Sequence, residues 1–230
     1  MNKTALSSHA IALDRLLSQR HSCRAFLPQG LPHDLILKLL ESARHTASWC
    51  NTQPWGIVVT TGAGTERFRR AMQAAARSRP PMSDIPFPLG YQGSHQQRRR
   101  EAGFQLYDAV GVTRGDREAS AAQSLRNFDF FDAPHVLIVT VPRSLGPYAL
   151  VDVGGWIANF LLAAQAHDVA AIAQAALAQQ ATVVRAHFGL HADAQVVCGI
   201  SFGYPDVTSP ANSYRTSRAP LHETVVWSRE

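Results

Sequence analysis

Ser48-Trp49-Cys50-Asn51-Thr52-Gln53-Pro54-Trp55-Gly56-Ile57 follows an amphipathic segment and runs straight into the apolar stretch Ile57-Val58-Val59-Thr60-Thr61. Pro54 disfavours helical geometry at the residue before it, so any helix behind must already have stopped. The ten residues are therefore a helix-to-strand connection. The side-chain amides of Asn51 and Gln53 each donate and accept, which suits a heterocycle presenting both carbonyl and N–H edges. Trp55 offers a flat face for packing or stacking. On its own the stretch reads either as a cofactor turn or as a polar loop beside a core tryptophan.

Working outward from this connection, Ile11, Leu13, Leu16 and Leu17 recur as the apolar set of a helix over 8–18. A second helix opens at Leu31-Pro32-His33-Asp34, with Leu35, Ile36, Leu39, Leu40 and Ala43 at helical spacing. After the strand over 57–61, Thr65 is expected to cap a helix reaching about residue 76. The proline-rich stretch 79–90 reads as an irregular surface excursion. Helices are expected over 96–110 and 117–126. Pro134–Val141 has almost no polar position and reads as a strand buried on both faces. Residues 152–167 are apolar nearly all round, the pattern of a central buried helix. Further expectations are a helix over 182–188 capped by Gly189, a strand over 195–202 and a short strand over 224–227. Helices and strands mix without regular βαβ alternation and without repeats. That pattern implies an α+β fold, read as one domain over 1–230.

Apolar residues make up 46% of the 230 and charged ones 17%, ordinary proportions for a chain with a sizeable core. No run is read as long and apolar enough to span a membrane, and the first residues carry no leader pattern. Three widely spaced cysteines (Cys23, Cys50, Cys198) suggest neither a disulfide framework nor a metal site, which fits a reducing cytoplasm. The net charge of +5 does not point to nucleic acid. Apart from Arg98-Arg99-Arg100, the basic residues are scattered among acids, as in Arg114-Gly115-Asp116-Arg117-Glu118, whereas a nucleic-acid surface needs them clustered. Ten histidines form no metal-ligand pattern, and neither a Gly-x-Gly-x-x-Gly after a strand nor a Gly-x-Ser-x-Gly elbow is present.

Two further segments carry chemistry. Arg20-His21-Ser22-Cys23-Arg24 sets two guanidiniums four residues apart around a hydroxyl, a donor set suited to phosphate or to a solvated cap. Gly203-Tyr204-Pro205-Asp206, followed by Asn212-Ser213-Tyr214-Arg215-Thr216-Ser217-Arg218-Ala219-Pro220, again places Arg, Ser and Thr after an apolar strand. In this order and spacing the three segments resemble the FMN-dependent nitroreductase family, from about Leu17 to Trp227. Arg20-x-Ser22-x-Arg24 resembles its opening motif. Ser48-x-x-Asn51-x-Gln53-Pro54-Trp55 is similar to its Pro-Ser-x-x-Asn-x-Gln-Pro-Trp signature, with Ala47 where proline is usual. Arg218-Ala219-Pro220 resembles its closing basic residue. The stretch from Arg98 to Phe131 looks like the subgroup acting on simple nitroaromatics.

The resemblance implies a small mixed β-sheet wrapped by helices and an interlocked homodimer with flavin at the subunit interface. It also implies NADH or NADPH as co-substrate, with hydride passing to flavin N5 and then electrons to a small nitroaromatic in a ping-pong cycle. No side chain would be catalytic, because the cofactor carries the redox chemistry. FMN would be held by Arg20, His21, Ser22, Arg24 and Arg218 of one subunit and by Ser48, Trp49 and Asn51 of the other. Trp49 is the first candidate for a substrate wall. Phe128, Phe130 and Phe131 come second, unless they are core. Flavin dehydrogenases, quinone reductases and dehalogenases resemble the same fold, and a non-catalytic flavin-binding dimer is the remaining alternative. One departure stands out. Where the family has a Gly- and Pro-containing loop facing N5, this chain has Asp168-Val169-Ala170-Ala171-Ile172-Ala173-Gln174-Ala175-Ala176-Leu177. Helix propensity there predicts extension of the flanking helices, with Ala173, Gln174 and Ala175 supplying altered backbone contacts to N5.

Overall fold

A computed structural model describes residues 7–228. Expectations resting on the first six residues lie outside it. The first helix, α1 (Ser8–Gln19), is capped by Ser7, whose hydroxyl accepts from the Ala10 amide at 3.2 Å. No residue of α1 is buried. Helix α2 (His33–Arg44) turns Ile36, Leu39 and Ala43 inward. A single 3-10 turn, Trp49–Asn51, leads to β1 (Gly56–Thr60) and α3 (Gly62–Ser78). Next come α4 (Gly93–Val110), closed by left-handed Gly111, and α5 (Arg117–Leu125), capped by the Asp116 carboxylate. Strand β2 (His135–Pro142), α6 (Tyr148–Ala166), β3 (Ala170–Gln174), α7 (Ala181–Phe188) and β4 (Ala194–Gly203) complete the fold.

The strands order β1-β2-β4-β3, and every neighbouring pair is antiparallel. The mixed character expected of the sheet is thus confined to its rim, where Ser22 makes an isolated parallel bridge to Ala171. Strand β2 alternates its side chains between two cores. Leu137, Val139 and Val141 join Trp156 and Phe160 of α6 and Leu39 of α2, whereas Val136 and Ile138 join Phe68 and Met72 of α3, Leu177 and Val184. Both faces are covered, which is why this strand reads as a nearly continuous apolar run. Gly199 in β4 lets Leu177 close over the sheet, since a Cβ there would come within 2.4 Å of Leu177 Cδ1.

Several expectations need correction. Thr65 is not a cap: α3 starts earlier, behind Thr61. Its hydroxyl is buried, donating to the Pro134 carbonyl at 2.9 Å. The Ala-rich stretch 170–174 extends no helix. It forms β3, because pairing with β4 satisfies its backbone and outweighs the helix preference of alanine. Residues 224–227 follow a 3-10 turn, Leu221–Glu223, and form no strand. Helix α6 is only half-buried: Val153, Trp156, Phe160 and Ala164 enter the core, but Tyr148 and Val151 are exposed. By length and composition alone it would also suffice to cross a membrane, contrary to the expectation of no such run. The excursion expected over 79–90 is irregular, yet tied down. Asp84 pairs with Arg143 at 3.2 Å and with Arg185, and accepts from the Val196 amide at 2.9 Å.

Candidate cofactor site

Arg20, His21, Ser22 and Arg24 leave the end of α1 and meet Tyr214, Arg215, Thr216 and Arg218 of the C-terminal segment around a cavity of about 210 Å³. The side chain holding the two segments together is Asn212. Its Oδ1 accepts from the Arg24 amide at 2.7 Å, while its Nδ2 donates to the carbonyls of Ala25 at 2.9 Å and Asp206 at 2.8 Å. Buried and fully satisfied, this amide fixes the relative position of the cations. Arg24 donates to the Tyr214 hydroxyl at 2.9 Å and to the Ser22 carbonyl at 3.2 Å, so its guanidinium is aimed before any ligand arrives.

Among the described residues no carboxylate lines the cavity. Burial, and then the charge on Arg218, lower the pKa of Arg20. His21 is held below its ordinary value chiefly by burial, with Arg215, Arg20 and Arg24 adding repulsion against a bond to the Gln19 carbonyl. Four arginines and the hydroxyls of Ser18, Ser22, Tyr214 and Thr216, with no counter-ion among the described residues of the lining, form a donor set suited to a phosphate, and it fits the phosphate end of FMN.

The helix-to-strand connection lies elsewhere: Ser48, Trp49 and Asn51 do not line this cavity. Their turn holds three non-glycine residues at positive φ, Cys50 (52°), Asn51 (55°) and Gln53 (47°). Each such residue costs roughly 1–2 kcal/mol in left-handed geometry. Internal bonds offset part of this, with the Ser48 hydroxyl accepting from the Gln53 amide at 2.9 Å and the Gln53 side chain donating to the Asn51 carbonyl at 3.3 Å. One stripe of α6 holds the turn from outside. Tyr148 sets its ring edge-on to Trp49 at 5.0 Å, both Asp152 oxygens accept from the Trp49 amide at 3.2 Å, and Asn159 donates to the Thr46 hydroxyl at 2.7 Å. Trp49 itself is 62% exposed, a flat surface facing outward.

At the third segment, Ala173 and Ala175 are exposed while Gln174 between them is buried. The Gln174 amide donates to the Asn127 carbonyl at 2.9 Å and accepts from the Ser201 hydroxyl, so it supports the strand end rather than reaching a ligand. Cys23 bonds back to the sheet through the Ala171 carbonyl at 3.4 Å, which sets the cation segment beside β3. Phe128, Phe130 and Phe131 are core, with 7%, 0% and 2% exposure. Cys50, inside the turn, is exposed, and no base is bonded to it among the described residues. Nothing in the sequence pattern marks Asn212, Tyr214 or Asp152. Only their side-chain chemistry signals them, since their partners are 188, 190 and 103 residues away.

A four-stranded antiparallel sheet between helical layers carries a cationic cavity and an amide-rich strained turn, two donor sets whose chemistry suits a phosphorylated heterocyclic cofactor. Residues 17–204 match the family model described as the Nitroreductase family. The chain is 35% identical over 221 residues to nitroreductase NfnB of Mycolicibacterium smegmatis, covering 96% of this chain and 94% of that protein. It is 33% identical over 223 residues to a 4-nitrobenzoate reductase of Nocardioides sp., covering 94% and 90%. Among solved structures, the FMN-dependent nitroreductase NfnB from Mycobacterium smegmatis in complex with NADPH superposes with a TM-score of 0.92 at 34% identity, covering 96% of this chain and 100% of that one. The chain belongs to the nitroreductase family.

Proposed function

We infer that this chain is an FMN-dependent oxidoreductase that uses NADH or NADPH to reduce small nitroaromatic compounds. The observation that carries the reading is the carboxylate-free cavity of Arg20, Arg24, Arg215 and Arg218 around Ser22, joined to a fold shared with an FMN-dependent nitroreductase. Bound FMN supplies the two-electron redox chemistry between the nicotinamide and the nitro group. The chain's own residues bind and orient. Arg20 and Arg218 hold the phosphate, with Ser22 as a further donor and His21 beside them. Arg24 and Asn51 bring positive charge and an amide to the pyrimidine edge, with Ser48 in the same turn. Ala173 and Ala175 offer open backbone beside Gln174. Because 170–174 is a paired strand, helix extension does not remove these contacts, which takes away the ground for a non-catalytic flavin binder.

The working unit is an interlocked homodimer of single-domain chains. Ile11, Leu13 and Leu17 of α1, Tyr148 and Val151 of α6, and Leu221 and Val226 near the end are exposed apolar residues that a second copy would cover. A dimer also explains why the strained turn and the cation cavity do not meet within one chain. Three free thiols at wide spacing suit a cytoplasmic setting. The test is an absorbance spectrum of the purified protein followed by anaerobic additions of NADPH and 4-nitrobenzoate. Flavin bands that bleach with the first and return with the second are expected. Colourless protein that takes up no added FMN would overturn the reading.

A further inference from the structure

The Ser48–Gln53 turn holds three left-handed non-glycine residues, and its internal bonds run only between its own members. What fixes it to the rest of the chain is the exposed edge of α6. Tyr148, Asp152, Gly155 and Asn159 are spaced four, three and four residues apart and form one stripe. Asn159 bonds Thr46, Gly155 leaves room for the Thr46 methyl, where a Cβ would stand at 3.3 Å, and Tyr148 meets the Trp49 ring. Asp152 is the one member of the stripe that grips the backbone of the turn, placing both carboxylate oxygens 3.2 Å from the Trp49 amide. That amide is the last donor before the chain enters its left-handed run.

We propose that Asp152 is a positioning residue for the cofactor, its carboxylate holding the Trp49 amide so that the turn carrying Ser48 and Asn51 keeps its left-handed form. The assignment rests on the reading that this turn contacts FMN. Asp152 touches no cofactor itself, and it acts through the backbone. Two consequences follow from the chemistry. Asparagine at this position retains an acceptor for the Trp49 amide, whereas alanine retains none. Alanine is also the strongest helix former, so Asp152→Ala should leave α6 intact.

The experiment titrates FMN fluorescence quenching into full-length wild type, D152A and D152N, with the visible circular dichroism of bound flavin and the thermal midpoint of the apoprotein measured alongside. In D152A the FMN dissociation constant is expected to rise about tenfold, the scale of one lost charge-assisted hydrogen bond. The visible band should change shape while the apoprotein midpoint stays close to wild type. D152N should bind within about threefold of wild type and keep the wild-type band. Wild-type affinity and band shape in D152A, even with a lowered thermal midpoint, would overturn the proposal by showing a purely structural role. D152N falling as far as D152A would overturn the acceptor role in favour of the charge. Wild-type protein that binds no FMN would overturn both this assignment and the reading beneath it.

Discussion

Arg20 and Arg218 face one cavity with no carboxylate among its described lining residues, and a bound anion would relieve the repulsion between them. Replacing either with alanine removes a charged hydrogen-bond partner, and FMN affinity should fall by about 1.5–3 kcal/mol, read by fluorescence titration. Arg218 is the more exposed of the two, so its effect belongs at the lower end. Unchanged affinity in both variants would rule out the phosphate assignment. A different kind of sensitivity sits at His135. It is buried, and its Nε2 accepts from the Leu31 amide at 2.8 Å, a bond only the neutral tautomer can accept. Burial holds its pKa below the usual 6.5. Below about pH 6.5 the unfolded chain therefore binds a proton that the native chain refuses. Stability present at neutral pH should be lost as pH falls through that value. His21 and His187 shift in the same direction and steepen the slope. Urea midpoints between pH 8 and pH 5 should show it, and H135Q, with a non-titrating acceptor, should flatten it.

Among the elements, β4 shows how tightly the sheet is closed. An alanine at Gly199 would place its Cβ 2.4 Å from Leu177 Cδ1 and 3.3 Å from Ile138 Cδ1, so G199A should cost about 1–3 kcal/mol in urea unfolding. Stability equal to wild type would mean that Leu177 moves aside freely. Much of this layer was legible in the sequence. Strands β1, β2 and β4, and helices α2 and α7, follow their apolar periodicity because each packs what its pattern presents against the core, whereas α1 and α5 form as expected without burying a residue in this chain. Strand β3 was not legible. Alanine carries no β preference, and only β4 gives Ala170–Gln174 a reason to be extended. The end of the chain misled in the opposite way. Val225 and Val226 have the composition of a strand, but no strand of this chain pairs with them. At the site, the residues bearing charge and amide groups were legible from type and spacing. The residues that aim them, Asn212, Tyr214 and Asp152, were not, because their partners are brought close only by the fold.

Over the molecule as a whole, exposed apolar residues lie on α1, the outer side of α6, the Trp49 turn, the irregular stretch with Met82, Phe87, Leu89 and Tyr91, and the stretch with Leu221, Val225 and Val226. Placing a charge at one of them, as in V151D, should convert a dimer into monomers in sedimentation equilibrium. On the proposed dimer, with each site built from two chains, FMN should be lost with it. A dimer that persists with full flavin content would place the interface elsewhere. The uncompensated cations have an effect beyond recognition. A ligand that binds only the folded form adds to its stability by mass action. Apoprotein should therefore melt lower than holoprotein and gain stability from inorganic phosphate or sulfate. In a living cell this links protein abundance to flavin supply. When FMN is scarce, more of the chain stays in its less stable form and is open to proteolysis, so a shortage of vitamin would lower enzyme content before any gene responded.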